Sequence, residues 1–224
     1  NVYAHARRDA SDTLWYFIGA ERLTTNGATT IDFEFFKAGM TVNQNGTVTA
    51  TGADSGRTAG IVTTPVVNGG GTVSKPGDML VVTEYGGSSV TTQVYLWTRN
   101  APSGVTFDSG NGTGSFGWAL INPPDGSIIA AQNTSTVSSG AWGTFQGAGA
   151  DSTNTLSALA FVEVGLNMTK LGLDVDTLTC SNIGQAVVHS RTSPSFSSNL
   201  SDFAGPLSFS LNTCVTLTLQ KFQD

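Results

Sequence analysis

Residues 158–206 read ALAFVEVGLNMTKLGLDVDTLTCSNIGQAVVHSRTSPSFSSNLSDFAGP. The apolar run at 156–164 has the length and β-branched content of a strand. Leu166, Met168, Leu171 and Leu173, with Asn167 and Lys170 between them, are spaced for one or two helical turns, the one helix the sequence offers. Residues 177–183 and 185–189 then predict two strands, or one bent strand with Gly184 as a bulge. A Ser-rich run follows, 196–203 predicts another strand, and Pro206 is expected to end it because proline cannot donate to a ladder. The Ser, Arg, His and Asp of this stretch suit the polar face and turns of a sheet better than a reaction centre.

Strand-like segments extend to both sides. Residues 1–9, TLWYFIGAE at 13–21 and TTIDFEFFK at 29–37 predict three strands, read together as an antiparallel meander, with Asn26-Gly27 as a turn signal. Asn45-Gly46 between TVNQ and TVTA predicts a hairpin over 41–50. Residues 52–60 read as loop, 61–67 as a strand and 68–74 as a glycine-rich connector. Pro76-Gly77 opens the strand MLVVTEY at 79–85, which returns as VTTQVYLWTR at 90–99. Residues 100–154 form a loop-rich excursion with strand-like islands at 118–122, 127–131 and 142–145. The last strands are expected at 207–211 and within 213–222. About a dozen strands without helical alternation give one all-β domain over 1–224, a large antiparallel, jelly-roll-like β-sandwich.

Composition narrows the function classes. Only 12% of the 224 residues are charged, the net charge is −6, and the ten Lys and Arg are scattered, which argues against nucleic acid as a partner. No apolar run approaches the roughly 20 residues needed to cross a bilayer, so membrane insertion is not expected. A chain that begins at Asn1 and not at Met is expected to be a processed form or a fragment. Cys180 and Cys214 both lie in strand-like settings, and in a Ser/Thr/Gly-rich chain they read as an exported disulfide, within one chain or between chains.

Candidate chemistry is sparse. His5 and His189 have no metal-ligand spacing, and no serine stands in a G-x-S-x-G elbow. Asp32 and Glu34 share one side of a strand at a spacing that would suit a retaining glycosidase, but alternation reads them as its solvated face. Glu84 and Glu163 are single acids in apolar strands, read as active-site acids or as buried partners of Arg22, Arg99 or Arg191. Asp174-Val175-Asp176 and residues 151–154 offer oxygen donors to Ca²⁺ without a dense calcium loop, and no other cofactor is expected. Trp15 and Trp97 read as core, whereas Trp118 and Trp142, in the loop-rich excursion, read as a surface contact.

Three blocks recur in a recognisable order: DTLWYFIGAER (12–22) with TTIDFEFFK (29–37), PGDMLVVTEY (76–85) with VYLWTR (94–99), and ALAFVEVGLNMT (158–169) with TCSNIGQAVVHSRTSPSFSSNLSDFAGP (179–206). The last contains Arg-x-Ser-x-Ser-Phe and Leu-x-Asp-Phe-x-x-Pro. With these blocks over most of its length, the chain resembles a domain of exported bacterial cell-surface, adhesin-like proteins. Those domains often stand ahead of further β-repeats, and this sequence departs in ending soon after the Cys214 strand. The resemblance implies an extracellular or cell-surface location and attaches no enzymatic activity to any residue here.

The expectation is therefore a non-enzymatic structural or adhesive protein that associates with itself, into oligomers or a fibre. Its terminal strand, with Val215, Leu217, Leu219 and Phe222, either pairs in another subunit's sheet or serves as an ordinary last strand tied down by Cys180 and Cys214. A glycan-binding module and a β-sandwich glycoside hydrolase or lyase are the alternatives.

Overall fold

Leu14, Tyr16, Ile18 and Ala20 alternate along one segment, and Ile31, Phe33 and Phe35 along the next, so a period of two turns each set to one side of a strand. The structure is a computed structural model that describes residues 1–23, 25–45, 48–87, 89–108, 115–140, 144–145, 152–174 and 182–212. In chain order its strands are β1 (Val2–Arg8), β2 (Leu14–Glu21), β3 (Thr29–Phe36), β4 (Met40–Val42), β5 (Val48–Ala50), β6 (Ile61–Val67), β7 (Gly70–Lys75), β8 (Met79–Gly86) and β9 (Ser89–Arg99). They continue as β10 (Phe107–Asp108), β11 (Phe116–Leu120), β12 (Ile128–Gln132), β13 (Val137–Ser138), β14 (Thr144–Phe145), β15 (Ser152–Thr153), β16 (Thr155–Leu156), β17 (Phe161–Asn167), β18 (Asn182–Arg191) and β19 (Leu200–Asn212). Among the described residues none is helical.

Two antiparallel sheets carry the fold, one of four strands in the order β1-β2-β17-β12 and one of seven in the order β10-β11-β9-β8-β3-β18-β19. The inner side chains of the first, including Tyr16, Ile18, Val162 and Val164, meet Phe33, Phe35, Val81, Leu96 and Val188 of the second in one core. Tyr16 and Phe35 lie 5.7 Å apart between ring centroids. Each such side chain stabilises the sandwich by about 1.5–3 kcal/mol relative to exposure. The all-β sandwich expected from the pattern is thus the architecture observed.

Several local expectations are corrected. The first three strands are not a meander, because the second edge of β2 is taken by β17 and β3 crosses to the other sheet. Arg22 holds this crossover: its buried guanidinium donates to the carbonyls of Leu159, Gly27 and Thr25 and to Thr29 Oγ1, and it lies 4.9 Å over the Tyr85 ring. The supposed connector at 68–74 instead contains β7, paired with β6. The strand expected at 156–164 begins only at Phe161, since Ala160 N closes a turn on Ser157 O.

In place of a helix, β17 runs to Asn167 and ends in a tight turn. Asn167 Oδ1 accepts from Lys170 N, and Leu173 N bonds Met168 O. Leu166, Met168, Leu171 and Leu173 are all buried. Their spacing therefore reflects a turn folded under the core. Pro206 does not end a strand either: it lies inside β19, where the ladder to β18 slips between Ala186↔Leu207 and Val188↔Ala204. An edge strand or a bulge accommodates the missing donor, and β19 offers both. At Gly184 the ladder slips as expected for a bulge.

Candidate functional site

β3 alternates Ile31, Phe33 and Phe35 with Asp32, Glu34 and Phe36, and every one of these six residues is buried. The seven-stranded sheet is therefore covered on both faces, by the core on one side and by chain segments on the other. On that second face Leu80, Val82, Tyr95, Trp97 and Trp118 form a smaller apolar cluster, joined by Ala59 and Phe196 from the covering segments. Phe36, Met40 and Val187 form a third cluster under the β4–β5 hairpin.

Charged residues fasten those segments down. Glu34 accepts from Arg57 Nε at 2.5 Å, and the Arg57 guanidinium is packed 4.7 Å from the Trp97 ring, 5.1 Å from Trp118 and 5.6 Å from Phe36. Asp78, fully buried, accepts from Lys37 N and Thr58 N, so one carboxylate ties the end of β3 to the loop before β6. Trp97 Nε1 donates to Asp54 O in the same loop.

On the same face of β3, Asp32 accepts from Arg191 Nη2 at 2.9 Å. Its second oxygen lies 2.5 Å from Arg191 Nε and 3.3 Å from His189 Nδ1, close contacts whose angles fall outside hydrogen-bond geometry. Arg191 Nη1 donates to Pro194 O, and Phe196 covers the guanidinium at 4.7 Å, so the Ser-rich loop before β19 is held by the same cation.

Burial governs the electrostatics. Desolvation pushes the Asp32 and Asp78 carboxyls up to about 6 and raises Glu34 as well, against the downward pull of Arg191 and of the two backbone donors and Arg57 respectively. Desolvation, with Arg191 and Arg57 nearby, lowers His189 to about 4, so its imidazole is neutral at neutral pH. Glu34 and Asp78 hold the segment 52–60 to the sheet, and Asp32 holds the Ser-rich loop through Arg191.

At the far edge of this sheet, β19 presents Leu200, Phe203 and Leu207 at 58%, 46% and 38% exposure. Beside it opens a groove of about 780 Å³, lined in part by Glu21, Arg22, Leu23, Asp202 and Phe203. The groove lies between the end of β2, the start of β3, the end of β18 and the start of β19.

The residues singled out in the sequence are dispersed. Asp32 and Glu34, expected on a solvated face, are buried beneath loops, and the sign was Phe36: an aromatic in their own phase marks a second covered face. Their arginine partners are Arg191 and Arg57. Glu163 is exposed and hydrogen-bonded to the Tyr3 hydroxyl, and Glu84 is half-buried. Trp118, expected at a surface contact, is 9% exposed because Arg57 and Trp97 pack against it. Asp174 takes both terminal nitrogens of Arg8 and the Thr169 hydroxyl, which commits the first of the expected calcium donors. Cys180, Cys214, Trp142 and Val215, Leu217, Leu219 and Phe222 lie outside the described residues. Among the described residues no group of three His, Cys, Asp or Glu side chains is arranged for a metal.

Arg57 was the residue missed, since it stood in a segment read only as loop. Comparison with protein-family models, with curated proteins and with solved structures finds no match.

Proposed function

We propose that the chain is a non-enzymatic structural or adhesive protein of a cell surface or extracellular matrix, whose copies join by strand pairing along β19. The observation that carries this reading is the β19 edge. It is a strand of 13 residues at the border of the seven-stranded sheet, and it turns three large apolar side chains to solvent next to an open groove. Backbone donors and acceptors on an exposed strand edge are a template for another strand, and apolar neighbours strengthen the addition. The bulge at Pro206 directs such pairing to the two flanking segments, of which 200–204 borders the groove.

The partner strand in this proposal is the alternating segment with Val215, Leu217 and Leu219 of a second copy. The use of Asp32, Glu34 and Asp78 as fasteners supports a rigid scaffold. Negative-stain imaging and sedimentation velocity test the proposal. The native chain is expected to form filaments or oligomers that are lost on Leu200→Lys with Phe203→Lys, and on deletion of 215–224. Assembly unchanged in both variants, or monomers at all concentrations, would overturn it.

A further inference from the structure

The face of the four-stranded sheet that points away from the core carries an aromatic surface at a place where strand alternation alone would put polar side chains. Tyr3 of β1 stands opposite Gly19 of β2, and Gly19 opposite Glu163 of β17; one pair along, Phe17 of β2 stands opposite Gly165 of β17. A Cβ on Gly19 would come within 2.3 Å of Tyr3 Cε1, and one on Gly165 within 3.4 Å of Phe17 Cε1. The Tyr3 and Phe17 rings therefore lie across the neighbouring strands, in the room the glycines leave.

Two near-parallel pairs result: Trp15 with Phe17, 6.1 Å between centroids and 18° between planes, and Tyr3 with Phe161, 6.2 Å and 21°. All four rings are half-buried. Polar groups lie among them. Glu163 is exposed and bonds the Tyr3 hydroxyl, His5 is exposed opposite Phe17, and Asp9 accepts from Trp15 Nε1 at 3.3 Å.

Two pairs of near-parallel, half-buried rings with carboxylates, an imidazole and the exposed Arg7 opposite Trp15 among them match the chemistry of a sugar chain. The C–H face of a pyranose packs on an aromatic ring, and its equatorial hydroxyls reach the polar groups beside it. A nucleic acid would need positive charge, and the chain has a net charge of −6. A protein partner is better met by a continuous ridge of aliphatic side chains, whereas on this face the large aliphatic residue is Ile129, opposite Gly165 on the border strand β12 and 61% exposed. We propose that this outer face is a binding site for a polysaccharide, whose sugar rings stack on Tyr3, Trp15, Phe17 and Phe161. The site lies on a different sheet from β19, so it does not rest on the assembly reading.

The test is co-sedimentation with microcrystalline cellulose, β-chitin and peptidoglycan, and affinity electrophoresis in xylan and laminarin. Retention by at least one of these polymers is expected, weakened about tenfold or more by Trp15→Ala and by Phe17→Ala and unchanged by Leu200→Lys with Phe203→Lys. Melting temperatures verify that each variant folds; should Trp15→Ala fail, Phe17→Gln and Phe161→Gln carry the same comparison. No retention by any of the five, or retention indifferent to the ring variants, would overturn the proposal. So would oligomers that dissociate on Trp15→Ala, because the face would then be a protein contact.

Discussion

Asp32 and His189 are shifted in opposite senses within one contact. The folded chain holds the Asp32 proton up to about pH 6, whereas the unfolded carboxyl releases it near 3.8. Between those values the folded state binds more protons, so this residue's contribution to stability is present in acid and is lost as pH rises through 6. Asp78 behaves in the same way. His189, lowered from 6.5 to about 4, does the reverse: its contribution is present above 6.5 and is lost as pH falls toward 4. Urea unfolding from pH 4 to 7 should show that Asp32→Asn narrows the lead of the acid form, and that His189→Gln loses less stability than the native chain on acidification. Parallel profiles for all three chains would contradict this account of the contact.

The covering loops are elements that the sheet alone would not order. Residues 52–60 are rich in small side chains, and Arg57 between Glu34 and three aromatic rings fixes them together with the bonds of Asp78 to Thr58 N and of Trp97 Nε1 to Asp54 O. Removing one partner of a buried ion pair leaves the other uncompensated, and Arg57→Ala is expected to destabilise the fold by about 3 kcal/mol. Amide hydrogen exchange in 52–60 should then accelerate well beyond that of β3. Glu34→Gln combined with Arg57→Met, which removes the charge but keeps an apolar stem among the rings, should recover much of the loss. Unchanged exchange in 52–60 of the Arg57→Ala chain would show that the loop is held by its backbone bonds alone.

Across the whole molecule, the interior strand β3 gains its second neighbour, β18, only late in the chain. The Asp32–Arg191 contact closes a separation of 159 residues, and the β3–β18 ladder belongs to the same closure. Loop-closure entropy must be overcome before such pairs stabilise anything, so refolding from urea is expected on the millisecond-to-second scale or slower. Refolding complete within about 100 microseconds would contradict a sheet built on this pairing. The register also means that no N-terminal piece of the chain can complete the seven-stranded sheet by itself.

Strand identity was legible in the sequence because the two-residue period is a local property. TTIDFEFFK shows it, TLWYFIGAE, MLVVTEY and VTTQVYLWTR are marked by their dense β-branched and aromatic content, and each became a strand of the sandwich. Which strands share a sheet was not legible, since β3 could continue a meander or cross over, and only the occupation of β2's second edge by β17 decided it. The same holds for the faces. A single strand cannot show whether its second side meets water, so Asp32 and Glu34 passed for surface, Trp118 for a contact and Trp15 for core. Tertiary structure reversed all four assignments: loops anchored by Arg57 and Arg191 cover one outer face, and glycines opposite Tyr3 and Phe17 leave the other open. The alternation of polar and apolar residues determines a strand, but burial depends on what arrives from far along the chain.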